Sequence, residues 1–103
     1  MPDTLDKQPA ESRLFDMDFS PRLAAAESLT GTPTVTEETV DQDTGALTPS
    51  VDLTFGTATV SGQIAQVRIS GGTDGVLYKV TFVATTDLSN TVEAEGFLLV
   101  QDI

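Results

Sequence analysis

Ser70-Gly71-Gly72-Thr73-Asp74-Gly75-Val76-Leu77-Tyr78-Lys79-Val80 is the stretch on which the fold turns. Three glycines in six residues open positive φ to the backbone and allow a sharp reversal. On its upstream side, Ala65, Val67 and Ile69 alternate with Gln66, Arg68 and Ser70. On its downstream side, Tyr78, Val80, Phe82 and Ala84 alternate with Lys79, Thr81 and Val83. A period of two puts one face of each run into a core, so the stretch predicts strand, corner, strand. The corner lacks the Lys and the following helix of a phosphate-binding loop.

Working outward, the same period recurs. Phe15, Met17 and Phe19 alternate with Asp16, Asp18 and Ser20 until Pro21 stops the run, and Leu23 to Ala26 can form one helical turn. Thr30 to Gln42 is rich in Thr and Glu, with an exposed edge strand expected near Thr34 to Thr39 and a loop from Asp41 to Thr48. Val51, Leu53 and Phe55 alternate with Asp52 and Thr54, and Ala58 and Val60 form a short continuation after Gly56. Thr85 to Asn90 is a turn before a last strand, Val92 to Gln101, whose centre is apolar on both faces. The 103 residues include 16 Thr, and turn signals fall about every ten residues, the spacing of a sandwich or barrel. Met1 to Ser12 is polar, so residues 1–13 are expected as an N-terminal arm and 14–103 as one β domain.

Tyr78, the only tyrosine, follows the glycine-rich corner and precedes the core position Val80 by two residues. This resembles the tyrosine corner of immunoglobulin-like sandwiches, in which the hydroxyl bonds back to the chain just upstream. The other reading is an ordinary strand tyrosine at a rim. The expectation is an all-β, immunoglobulin-like β-sandwich of about seven strands, with Phe19, Gly71, Gly72 and Tyr78 as structural residues.

Composition excludes several chemistries. With no Cys and no His, the chain has no thiolate nucleophile, no Ser-His-Asp triad and no Cys- or His-ligated metal. Five basic against 16 acidic residues give a net charge of −11, which opposes direct binding of nucleic acid or an anionic membrane. No apolar run reaches the roughly 20 residues of a membrane span, and none at the N-terminus reads as a signal peptide. Asp41-Gln42-Asp43-Thr44-Gly45 begins like a calcium loop but puts Gly45 and Asp52 where further ligands belong, so an Asx-type turn accounts for it. Asp16 and Asp18 share one strand face opposite Phe15 and Met17, which reads as a solvated face rather than an acid-base pair. The expectation is no catalytic, metal or cofactor site and no enzymatic activity.

Two stretches resemble a family of short virion structural proteins of tailed bacteriophages. One runs from Lys7-Gln8-Pro9-Ala10 through Phe15-Asp16-Met17-Asp18-Phe19-Ser20 to Arg22-Leu23-Ala24. The other runs from Val67-Arg68-Ile69-Ser70-Gly71-Gly72-Thr73-Asp74-Gly75 through Tyr78-Lys79-Val80-Thr81 and Thr85-Thr86 to Val100-Gln101-Asp102. Phe19 and Arg22 stand where the family pattern has aromatic residues, often Trp. The resemblance implies a virion component: a fibre-tail adaptor at the head-tail neck or fibre attachment region or, alternatively, a capsid decoration protein. An immunoglobulin-like module of a bacterial surface protein is a further alternative, disfavoured because the chain starts at Met1 and ends just after its last strand. Implied partners are neck, tail, fibre or capsid proteins, with multiple copies in a symmetric assembly.

Only one face of Phe97-Leu98-Leu99-Val100 can fill the domain's own core. Leu98 and Val100 are expected inward with Phe82, and Phe97 or Leu99 in an interface; the other reading buries both faces, one of them under the arm. Leu5 and Pro9 in the arm are expected to touch a neighbouring chain.

Overall fold

Each apolar alternation becomes a strand because burying one face removes hydrocarbon from water while the backbone pairs sideways. The computed structural model of the chain describes residues 4–102, which build an all-β sandwich of two sheets. In chain order the strands are β1 (Thr4–Lys7), β2 (Arg13–Asp18), β3 (Leu29–Val40), β4 (Leu47–Pro49), β5 (Leu53–Phe55), β6 (Thr59–Ser61), β7 (Ile64–Gly71), β8 (Val76–Thr86) and β9 (Thr91–Val100). The larger sheet has the order β1-β9-β8-β3-β4, the smaller β2-β7-β5, with β6 also on β7. Pairing is antiparallel except between β1 and β9, which run parallel.

The core lies between the sheets. Tyr78, Val80, Phe82 and Ala84 of β8 and Leu98 and Val100 of β9 face Phe15 of β2 and Ala65, Val67 and Ile69 of β7. Phe15 stacks on Phe82 with ring centroids 5.8 Å apart. Phe19 is fully buried where β2 ends, and its N–H donates to the Gln63 carbonyl at 2.9 Å.

At the corner, Gly71 and Gly72 have φ of +79° and +97°. A Cβ on Gly72 would come within 2.7 Å of Val100 Cγ2, so the backbone packs where a side chain cannot fit. The Tyr78 hydroxyl accepts the Thr73 N–H at 2.9 Å and donates to Asp52 Oδ2 at 3.1 Å. Burial pushes its pKa up, and the Asp52 carboxylate adds to that against the opposing Thr73 N–H.

Several sequence expectations are corrected. Nine strands are described rather than about seven, because β1 and β4 are added. Within the span expected as an arm, β1 lies beside β9 in the domain's own sheet, with Lys7 opposite Val100 and the Gln101 N–H on the Lys7 carbonyl at 2.8 Å. Its cohesion is backbone pairing, which leaves no apolar pattern to read. β3 is longer than the edge strand expected near Thr34 to Thr39: it has 12 residues, pairs with β8, and is flanked on its other side by β4 only at Glu38–Val40. Its Glu37 points inward, and the carboxylate accepts the Ser50 hydroxyl at 2.8 Å and the Leu53 N–H at 2.9 Å. That bracket brings the chain from the large sheet toward β5. Val51 is therefore not a core residue: it is 95% exposed in the loop before β5. A single 3₁₀ turn forms at Ser20–Arg22, ahead of the helical turn expected at Leu23 to Ala26.

Candidate docking face

The outer face of the larger sheet is built by the residues that alternate with the core. Leu98 and Val100 are fully buried with Phe82, so Phe97 and Leu99 lie on the opposite face, both half-buried. Strand register then decides their neighbours. Leu99 pairs with Leu77, Leu77 with Val40 and Val40 with Leu47, an apolar row across β9, β8, β3 and β4. The next row is Phe97, Lys79, Glu38 and Pro49. β1 runs along the edge beside Phe97 and Leu99 rather than over them.

The electrostatics of this face are acidic. Lys79 Nζ lies 3.0 Å from Glu95 Oε2, and hydrogen bonding to that carboxylate holds the lysine pKa up. Glu38 and Glu93 stand on the same face in register with Lys79 and Val83. The face thus offers apolar contact beside acidic side chains.

The other expected positions are distributed as follows. The Leu5 backbone lies opposite Leu98, and its side chain lies outside the described residues. Pro9 is half-buried, and its carbonyl accepts Lys7 Nζ at 3.2 Å. Lys7 is buried; desolvation lowers its pKa, with Glu11 opposing. The Asp41 carboxylate accepts the N–H groups of Asp43 at 2.8 Å and Thr44 at 3.3 Å, which is an Asx-type turn, and these bonds hold its pKa down. Among the described residues no group of three or more acidic, His or Cys side chains is placed to hold a metal. No helix among them is long and apolar enough to cross a membrane. Sequence reading missed Leu77, Val40 and Leu47 as members of the face. Leu77 carried a signal, since it precedes an inward Tyr78 and must point out, but the row forms only through pairing of distant strands.

Comparison with protein families gives a match over residues 7–99 to the family described as podophage GP4 fiber-tail adaptor protein gp77. The chain belongs to this family. Membership makes it a structural adaptor of the phage virion, in contact with other virion proteins. A comparison with curated proteins finds no match. The matched span runs from the last residue of β1 to the middle of the apolar pair Leu99 and Val100, so it includes the corner, both sheets and nearly all of the outer face.

Proposed function

We propose that this fibre-tail adaptor is non-enzymatic, sits where fibres attach near the head-tail neck, and docks on a larger virion protein through the outer face of its five-stranded sheet. The observation that carries the reading is the apolar row Leu99, Leu77, Val40 and Leu47, over which no strand is laid among the described residues, on a chain of this family. Phe97 extends the row, and the β1 edge strand that runs beside Phe97 and Leu99, with Leu5 in it and Pro9 just after it, would meet the same partner. A net charge of −11 keeps free copies apart, so docking needs a surface with apolar contacts and basic groups to meet Glu38 and Glu93. Several copies then take up symmetric positions on that preassembled virion protein. The domain is read as immunoglobulin-like: β9-β8-β3-β4 and β2-β7-β5 follow the G-F-C-C′ and B-E-D orders of such sandwiches, and Tyr78 bonds back across its corner.

The test is incorporation into particles by a Phe97→Asp, Leu99→Asp variant, with thermal unfolding followed alongside. Both side chains are outside the core, so the melting temperature should stay within a few degrees while incorporation falls at least tenfold. Normal incorporation by the folded variant refutes docking through this face.

A further inference from the structure

A second surface lies along the side of the sandwich, where the two sheets do not close on each other. β2 and the first half of β9 face one another there across an open cleft of ≈ 800 Å³. Phe15 and Met17 of β2 and Ala94 and Gly96 of β9 line it, and Asp16, Asp18, Glu93 and Glu95 stand on its two rims. Arg22 is the single cationic side chain in that lining among the described residues.

Both banks of the cleft are strand edges. β2 pairs with β7 on one side only, so over Arg13–Asp18 its other edge presents backbone N–H and C=O groups without a strand partner among the described residues. β1 covers β9 only from Phe97 to Val100, and the described residues leave the Thr91–Gly96 edge without a second strand. An exposed edge beside an apolar floor is a template for strand addition, with alternate side chains entering the cleft.

We propose that this cleft receives an extended, basic segment of another protein, which adds as a strand to the free edge of β2. Its apolar side chains would lie on Phe15, Met17 and Ala94, and its Lys or Arg side chains would meet the rim carboxylates. Charge selects this occupant. Asp16 accepts Gln66 Nε2 at 2.7 Å, Asp18 accepts the Ser20 N–H at 2.8 Å, and Glu95 pairs with Lys79, so the rims set the carboxylates of Asp16, Asp18 and Glu93 against one Arg22. A second copy of this chain carries −11 itself and is repelled. β2 has six residues, so a segment of about eight spans the edge. The inference uses neither the apolar row nor Phe97; it shares only Glu93 and Glu95 with the acidic side chains of the outer face, and gives the adaptor a second contact.

The test is titration with a synthetic eight-residue peptide alternating lysine and valine, against one alternating glutamate and valine, read by amide exchange and methyl shifts in nuclear magnetic resonance. The lysine peptide should slow exchange of amides within Arg13–Asp18 and shift the Met17 and Ala94 methyls. A double variant, Asp16→Lys with Glu93→Lys, changes exposed positions only and should weaken binding at least tenfold. Met17→Lys, which puts a cation in the cleft, should do the same, whereas Leu77→Asp should leave affinity within twofold. Equal binding of the glutamate peptide, protection at β4 or the outer face instead of β2, loss of binding in Leu77→Asp, or no binding at millimolar peptide each overturns the proposal.

Discussion

Tyr78 joins three parts of the chain through one oxygen. Its hydroxyl accepts from Thr73 in the glycine-rich corner and donates to Asp52 in the loop before β5, while its ring is fully buried on β8. Tyr78→Phe keeps the ring and removes both bonds. The expected cost is about 1–2 kcal/mol, since one bond contributes roughly 1 kcal/mol and the Thr73 N–H, near the surface, regains water. The local signature should be faster exchange of the Thr73 amide at unchanged core packing. An unaltered melting temperature with unaltered Thr73 exchange would show that the hydroxyl bonds hold nothing. This contact was legible in the sequence because corner and tyrosine are only five residues apart. Asp52 was not, since it reaches Tyr78 from 26 positions away through a loop whose course depends on Glu37.

At the scale of elements, what could be read was set by where the cohesion resides. β2, β7, β8 and β9 announce themselves because their stability comes from one apolar face, and that face is written with period two. β1 is held by parallel backbone pairing, which any sequence can make, and the course from β4 into β5 is set by a buried Glu37 carboxylate that accepts two donors. Glu27 shows the same logic between elements. Its carboxylate accepts the Thr86 hydroxyl at 2.6 Å, the Asn90 amide at 2.8 Å and the Ala24 N–H at 3.0 Å, tying the segment before β3 to the β8–β9 turn. The Thr86 and Asn90 bonds, then that of Ala24, hold its pKa below the usual carboxylate value. A depressed folded pKa stabilises fully above the unfolded value and is lost as pH falls through the folded one. Melting temperature should therefore drop on acidification below the ordinary carboxylate range. Glu27→Gln should melt lower at pH 7, because its amide opposes that of Asn90, and should show a shallower acid limb. Asp18 and Asp41, also held down by backbone N–H groups, leave a residual slope. Parallel acid limbs for the two proteins would exclude Glu27 as a source of the dependence.

For the whole molecule, charge and the outer face act in opposite directions. Sixteen acidic against five basic residues repel free copies, while Leu99, Leu77, Val40 and Leu47 offer apolar area that water disfavours. The two-faced last strand made half of this face legible in the sequence. The remainder needed the register of β8, β3 and β4, which no local pattern carries. The balance between repulsion and burial can be shifted without mutation. At about 0.1 M salt the screening length is roughly 10 Å, and at 1 M it falls to about 3 Å. Sulfate also strengthens apolar burial by exclusion from the surface. The chain should therefore sediment as a monomer at pH 7 and low salt and begin to self-associate as sodium sulfate approaches 1 M. Leu77→Asp lies on the outer face and should abolish that association with little change in melting temperature, while Asp16→Lys with Glu93→Lys should leave it intact or strengthen it. Binding of a basic peptide in the side cleft has the opposite salt dependence, weakening as ionic strength rises. Salt-driven association that survives Leu77→Asp would mean that the apolar row is not the adhesive surface of the free protein.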